Sequence, residues 1–218
     1  MSFSIKIGAR SSPLSKAQIE EVRADLLSFH SHIVLDSILV ETTGDLDQKT
    51  SLRNLGKTDF FTKQVDELLL TGQCRIAVHS AKDLPETLTP GLELICLTKG
   101  QDPSDSLVLR EGQTMDSLPS GAIIATSSER RELAVKQLRS DLCFRDIRGT
   151  IGQRLAVLER GEADGVVIAE AALIRLGLTH LNRIKLPGPT VPFQGQLAIT
   201  ARHGDSEMRD LFACLNIS

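Results

Sequence analysis

AIIATSSERRELAVKQLRSDLCFRDIRGTIGQRLAVLERGEADGVVIAEAALIRL, residues 122–176, repeats one pattern three times: a short apolar run, a polar turn, then a helical spacing of apolar residues. Ala122 to Ala125 runs into Thr126-Ser127-Ser128 and a helix over about 129–138. Cys143 to Ile147 runs into Arg148-Gly149-Thr150 and a helix through Leu158, and Val166 to Ala169 runs into a helix through Leu176. The runs are too short for helices and are bounded by turn residues, so they read as buried strands. Strands alternating with helices predict an α/β fold built on a mainly parallel sheet.

The same rhythm extends outward in both directions. Ser4 to Ala9 alternates as a strand, and Ser11-Ser12-Pro13 offers a cap and an early helical proline before the apolar positions Leu14, Ala17, Ile19, Val22 and Leu26. Ile33 to Val40 is a second strand; residues 42–58 form a long polar stretch of the kind that binds or moves. A helix is predicted over 60–70 and a strand over 75–79. That strand leads into Ser80-Ala81-Lys82-Asp83-Leu84-Pro85, where the proline disfavours helix at Leu84. Leu92 to Leu97 is a strand, residues 99–106 are a crossing between domains, Leu197 to Ala201 is a last strand, and residues 206–215 form a closing helix able to rejoin the first domain.

This layout puts Arg130, Arg131, Arg148, Arg154 and Arg175 near strand-to-helix junctions, facing the Lys82-Asp83 loop. Open α/β sheets bind ligands beyond the carboxyl ends of their strands, where helix N-termini leave N–H groups unpaired. Arginine supplies a planar, permanently charged fork for carboxylate or phosphate, and these residues alone leave that choice open. Arg130 and Arg131 fall in a first helical turn, where cations oppose the helix dipole unless an anion is near. Gly149 reads as a point of backbone approach to a ligand, but residues 148–154 lack the GxGxxG spacing of a dinucleotide site. Asp83 reads either as a turn cap before Pro85 or as an ionised carboxylate able to stabilise a cation and relay protons. Arg10 faces the same cleft, whereas Arg139, Arg160 and Arg209 read as solvated and His79 as packed at its strand end.

Composition limits the partners. A net charge of −3, no Trp, no Tyr and seven Phe argue against a nucleic-acid surface, so positive charge must be local. Cys74, Cys96, Cys143 and Cys214 lack any metal-ligand spacing, so no metal is expected, and the thiols fit a reduced compartment. The first three are expected to pack in or beside strands, and Cys214 to sit on the last helix. No export signal or membrane-length apolar run is visible, which gives the expectation of a cytoplasmic monomer with no membrane or nucleic-acid partner.

IKIGARSSPLSKAQ (5–18), TTGDL (42–46), AVHSAKDLP (77–85), DPSD (102–105), ATSSERR (125–131), IRGTIGQRL (147–155), ADGVVIAEAALIRLGL (163–178) and QGQLAITAR (194–202) together resemble porphobilinogen deaminase, or hydroxymethylbilane synthase, collinearly from end to end. The resemblance implies two lobes like those of type II periplasmic binding proteins, each a mixed, mostly parallel sheet flanked by helices, with the active cleft between them. Domain 1 would comprise 1–98 with 195–218, and domain 2 would comprise 99–194. It implies a transferase of tetrapyrrole (haem) biosynthesis that condenses four porphobilinogen molecules with loss of ammonia on a dipyrromethane primer. Asp83 would be the catalytic carboxylate. Arg10, Ser12, Lys82, Thr126, Ser128, Arg130, Arg131, Arg148, Arg154 and Arg175 would hold primer and substrate carboxylates.

The family's third domain, with its Gly-Gly-Cys primer attachment, is expected to be absent, and no cysteine matches that motif. The expectation is therefore a short form or fragment holding its primer without the usual thioether. The alternative is a non-catalytic pyrrole or polycarboxylate binder; an exported solute receptor of the same shape would need a signal segment. Gly56-Lys57-Thr58-Asp59-Phe60-Phe61 replaces the family's Gly-Gly-Lys-Gly-Leu-Phe, and Gly100-Gln101 stands where an arginine usually precedes Asp-Pro.

Overall fold

The structure is a computed structural model that describes residues 3–47, 50–51, 53 and 58–217; Gly56 and Lys57 of the altered loop motif lie outside them. Strand β1 (Phe3–Arg10) buries Ile5, Ile7 and Ala9, and pairs in parallel along its whole length with β2 (Ile33–Val40). Helix α1 (Pro13–Phe29) begins at Ser12, whose Oγ accepts from Ser15 N at 3.2 Å, with Pro13 in the first turn. Its Ile19, Val22 and Leu26 are fully buried against the sheet.

A four-residue helix α2 (Thr43–Leu46) opens the polar stretch. The helix expected over 60–70 divides into a tight 3₁₀ turn at Asp59–Phe61 and α3 (Lys63–Leu70). That turn seats the Phe61 ring where a Cβ on Gly44 would stand, 2.1 Å away, so a tertiary contact outranks local helical periodicity here. β3 (Ile76–Ser80) leads into a 3₁₀ turn at Ala81–Asp83, and β4 (Leu92–Leu97) follows.

In the second half, β6 (Ile123–Ala125), α4 (Glu129–Leu138), β7 (Cys143–Arg145), α5 (Ile151–Glu159), β8 (Gly165–Ala169) and α6 (Glu170–Arg175) alternate as the opening stretch of sequence predicts. Two strands were not expected: β5 (Asp105–Leu109) and β9 (Arg183–Lys185). β5 begins with Asp105 and Ser106, which read as loop residues, yet both are buried because partners satisfy them; Ser106 Oγ donates to Glu170 Oε2 at 2.5 Å. β10 (Leu197–Arg202) and α7 (Ser206–Phe212) finish the chain, and α7 passes into a 3₁₀ turn at Ala213–Leu215.

The strands form two five-stranded sheets of like design, β2-β1-β3-β10-β4 and β7-β6-β8-β5-β9. In each, one strand, β10 or β5, runs antiparallel to both neighbours and the other four point the same way. Each antiparallel strand is reached by the chain passing from one sheet to the other. The two passages touch through backbone: Gln101 N donates to Gly195 O at 3.0 Å, and a Cβ on Gly195 would lie 2.3 Å from Gln101 O. Only glycine tolerates that approach with its φ of +90°. Cys74 and Cys96 are buried as expected, but Cys143 is exposed, because β7 is an edge strand with little covering it.

Candidate functional site

The carboxyl ends of β1 and β3 face the loops after β7 and β8 across a cavity of about 490 Å³, well inside the roughly 300–1,000 Å³ of small-molecule sites. Of the residues expected to form a site, Arg10, Ser12, Lys82, Asp83, Arg131, Arg148 and Arg154 line it. Thr126, Ser128, Arg130 and Arg175 do not. Its ionisable lining comprises five cations, Arg10, Lys82, Arg131, Arg148 and Arg154, against Glu41, Asp45 and Asp83. The surplus is positive in a chain whose net charge is negative.

Several of these cations already have fixed partners. Arg10 pairs with Asp45 through a two-pronged contact and lies over the Phe61 ring, 4.6 Å from its centroid. Burial alone would push the Asp45 carboxyl up, but Arg10 and Thr42 together hold it below its ordinary range. Arg148 reaches across the cleft to Gly44 O at 3.0 Å and Asp47 O at 2.7 Å. Burial lowers its pKa.

Arg154 is the cation with most left to give. Its Nε donates to Gly149 O at 2.9 Å, and among the described residues its two terminal nitrogens have no hydrogen-bond acceptor. Burial first, then Arg131 and Arg148, pull its pKa down to about 10. Asp83 acts in the opposite sense, favouring the charged guanidinium. α5 itself is capped by Thr150 and Gln153: Gln153 N donates to Thr150 Oγ1 at 3.3 Å and Thr150 N to Gln153 Oε1 at 2.8 Å. Gly149 serves this cap, since a Cβ there would stand 2.6 Å from Gln153 Oε1, and it also lines the cavity.

Lys82 donates to Gln194 Oε1 at 3.2 Å, and burial, then Arg131, lowers its pKa to about 8. Asp83 follows it in the same turn, lines the cavity, and makes no ion pair among the described residues. His79, on β3, is buried with Nε2 3.2 Å from Thr200 Oγ1; burial, then Arg10, depresses it to about 4, so it is neutral at pH 7.

The four residues outside the cavity have other work. Thr126 is buried and its Oγ1 accepts from Ser128 N at 3.3 Å, while its carbonyl accepts from Arg53 at 3.0 Å. Ser128 holds the first position of α4 without a side-chain cap bond. Arg130 and Arg131 both donate to Asp105, at 2.5 Å and 2.6 Å. The anion that their place in a first turn demands is thus supplied by the protein. Arg175 ends α6, where a cation suits the dipole, and grips Glu21 of α1 with two 2.8 Å bonds and Gly195 O at 2.7 Å. Sequence reading missed Asp105, Gln194, Arg53 and Glu21. Asp105 and Gln194 carried a signal, as the second acid of DPSD and the first residue of QGQLAITAR.

Fold and cavity define a two-lobed α/β architecture whose cleft is lined by more cations than anions. Solved structures share the architecture at low identity. The regulatory domain of OxyR2 C206S from Vibrio vulnificus matches with TM-score 0.55 at 13% identity, over 99% of this chain and 94% of that one. A putative lipoprotein from Actinomyces odontolyticus matches with TM-score 0.56 at 17% identity, over 99% and 89%.

Sequence comparison goes further than the fold. The family model described as "Porphobilinogen deaminase, dipyromethane cofactor binding domain" matches residues 5–210. A probable porphobilinogen deaminase of Chlamydia muridarum (strain MoPn / Nigg) is 40% identical over 214 residues, 98% of this chain and 88% of that protein. Its namesake from Chlamydia pneumoniae is 40% identical over 208 residues, 95% and 88%. The chain belongs to the porphobilinogen deaminase family, transferases of tetrapyrrole biosynthesis. No helix among the described residues is long and apolar enough to cross a membrane.

Proposed function

We propose that this protein is a hydroxymethylbilane synthase, joining four porphobilinogen molecules head to tail, with release of ammonia from each and uptake of one water at the chain's end. The observation that carries this is the pairing, in one cavity, of Asp83, which makes no ion pair among the described residues, with a guanidinium, Arg154, whose terminal nitrogens meet no acceptor among them. Porphobilinogen needs both kinds of group: cationic forks for its acetate and propionate, and an anion beside the carbon that loses ammonia. Arg131, Arg148, Arg154, Lys82 and Ser12 would bind the carboxylates and exclude water from them. Asp83 Oδ would lie against the developing pyrrole cation, stabilising it, and then accept the proton released when the new carbon–carbon bond forms. Residues 1–98 with 195–218, and 99–194, would be the two domains that meet on the substrate, in a cytoplasmic monomer.

A dipyrromethane, when bound, supplies the nucleophilic pyrrole carbon from which such a chain extends. The cavity suits its carboxylates, because cations outnumber anions in its lining and Arg154, near Asp83, makes no ion pair among the described residues. It does not offer a thioether: Cys74 and Cys96 are buried elsewhere, Cys143 and Cys214 are exposed, and none lines the cavity. That placement favours non-covalent retention. It is also what supports the second reading, a pyrrole-binding protein that no longer assembles chains.

Intact-mass measurement before and after adding porphobilinogen, with substrate loss followed in parallel, separates these readings. Consumption without a covalent adduct is the expected result, and tight binding without consumption would instead establish the binding protein. Asp83→Ala should lower consumption at least roughly a hundredfold while the fold is kept. Retained turnover in that variant would remove Asp83 from the chemistry.

A further inference from the structure

Asp105 is 2% exposed at the start of β5, on the first passage between the sheets, and Gln194 is buried on the second. Gln194 Nε2 donates to Asp105 Oδ1 at 2.9 Å and to Pro103 O at 2.6 Å, while its Oε1 accepts from Lys82 at 3.2 Å. Asp105 in turn takes Arg131 on one oxygen, from Nε at 3.0 Å and a terminal nitrogen at 2.6 Å, and Arg130 on the other. One continuous chain of hydrogen bonds therefore links a cavity cation of the first sheet, Lys82, to a cavity cation of the second, Arg131. Neither Asp105 nor Gln194 lines the cavity.

We infer that Asp105 and Gln194 are positioning residues that hold Lys82 and Arg131 at a fixed separation across the cleft, so that the two lobes present one preformed anion site. The physical need is plain. Two cations facing one cavity repel, and without an anion behind them each would swing to solvent; a buried carboxylate that takes two N–H groups of Arg131 on one oxygen fixes its guanidinium and partly offsets its charge. Gln194 carries that restraint across the passage to Lys82 without adding charge. Lys82 feels Arg131, Asp83, Asp105 and Arg154, in falling order of strength, with Asp83 and Asp105 opposing the two arginines. Burial of Asp105 would raise its pKa, but Arg131 and Arg130 more than offset this and keep it ionised.

The kinetic part of the test rests on the proposed porphobilinogen reaction; the titration part does not. Competitive labelling of Lys82 by a small amine-reactive reagent across pH, read by peptide mass spectrometry, reports its ionisation whether or not the protein turns over. In the unaltered protein the midpoint should fall near pH 8. Asp105→Asn removes an anion that favours protonated Lys82, so its midpoint should drop. Gln194→Leu, which leaves the Arg130 and Arg131 pairs in place, should drop it as well, through loss of the acceptor.

If porphobilinogen is consumed, both variants should raise KM roughly tenfold with kcat within about threefold, and Asp105→Glu should recover part of the loss. A midpoint that stays or rises in both variants overturns the inference, as does a KM unchanged in both. Should Asp105→Asn fail to fold, Gln194→Leu decides alone. A labelling shift in a protein that consumes no porphobilinogen would sustain the inference while refuting the proposed reaction.

Discussion

Arg175 and Glu21 offer a sharp test of whether an arginine at a strand-to-helix unit serves the ligand or the frame. The Arg175 side chain is 5% exposed and that of Glu21 17%, and both guanidinium-to-carboxylate bonds are 2.8 Å. Charges about 4 Å apart attract by about 4 kcal/mol at an effective dielectric near 20. Desolvation of Arg175 and partial hydration of Glu21 offset about half of that, leaving a coupling of about 2 kcal/mol. The perturbation is a double-mutant cycle of Glu21→Gln, Arg175→Met and the pair, followed by urea unfolding. Glu21→Gln should cost about 2 kcal/mol, equivalent to about 4–8 °C in Tm for a chain of this size. It should leave porphobilinogen consumption near that of the parent, since neither residue lines the cavity. A coupling below about 0.5 kcal/mol, or a loss of substrate affinity without loss of stability, would refute the assignment of Arg175 to the joint between lobes and return it to the ligand.

Two further perturbations probe the first sheet and the second passage. His79, depressed from 6.5 to about 4 by burial and Arg10, stays neutral in the folded protein while the unfolded chain takes up a proton below about pH 6.5. Stability should therefore fall as pH drops from 6.5 toward 4, by up to about 3 kcal/mol, and His79→Gln should flatten that part of the curve in denaturant titrations; an unchanged slope would show that His79 is not the cause. Phe193 sits at φ 62° and is 50% exposed, a backbone region that penalises every side chain and β-branched ones most. Phe193→Gly should be more stable than Phe193→Val by about 2 kcal/mol in thermal unfolding, and equal stability would mean that the passage relaxes.

Much of the frame was legible because its signals are local. The strand, turn and helix pattern of residues 122–176 gave three units whose bounds match the structure to within a residue or two, and Ser12 with Pro13 marked the start of α1. β5 escaped because Asp105 and Ser106 look like loop residues until their distant partners are known. Cys143 was misjudged because edge and centre strands share a composition, and only the pairing order says which is which. Gly149 was read for the ligand alone, whereas it lines the cavity and also makes room for Gln153.

The sequence alone determined an α/β chain that alternates strands with helices and gathers arginines with Lys82 and Asp83 at strand ends. Those features follow from periodicity, turn chemistry and charge, which act over a few residues. Tertiary structure decided how each cation is spent. Arg130 and Arg131 meet Asp105, Arg175 meets Glu21, and Arg10 meets Asp45, whereas Arg154 lines the cavity with no ion pair among the described residues. Whether a guanidinium faces a protein carboxylate or an open cleft depends on groups up to 154 positions apart in the chain. Local pattern carries no information over that span, because the Coulomb energy that sorts the pairs depends on distance and burial in the folded molecule.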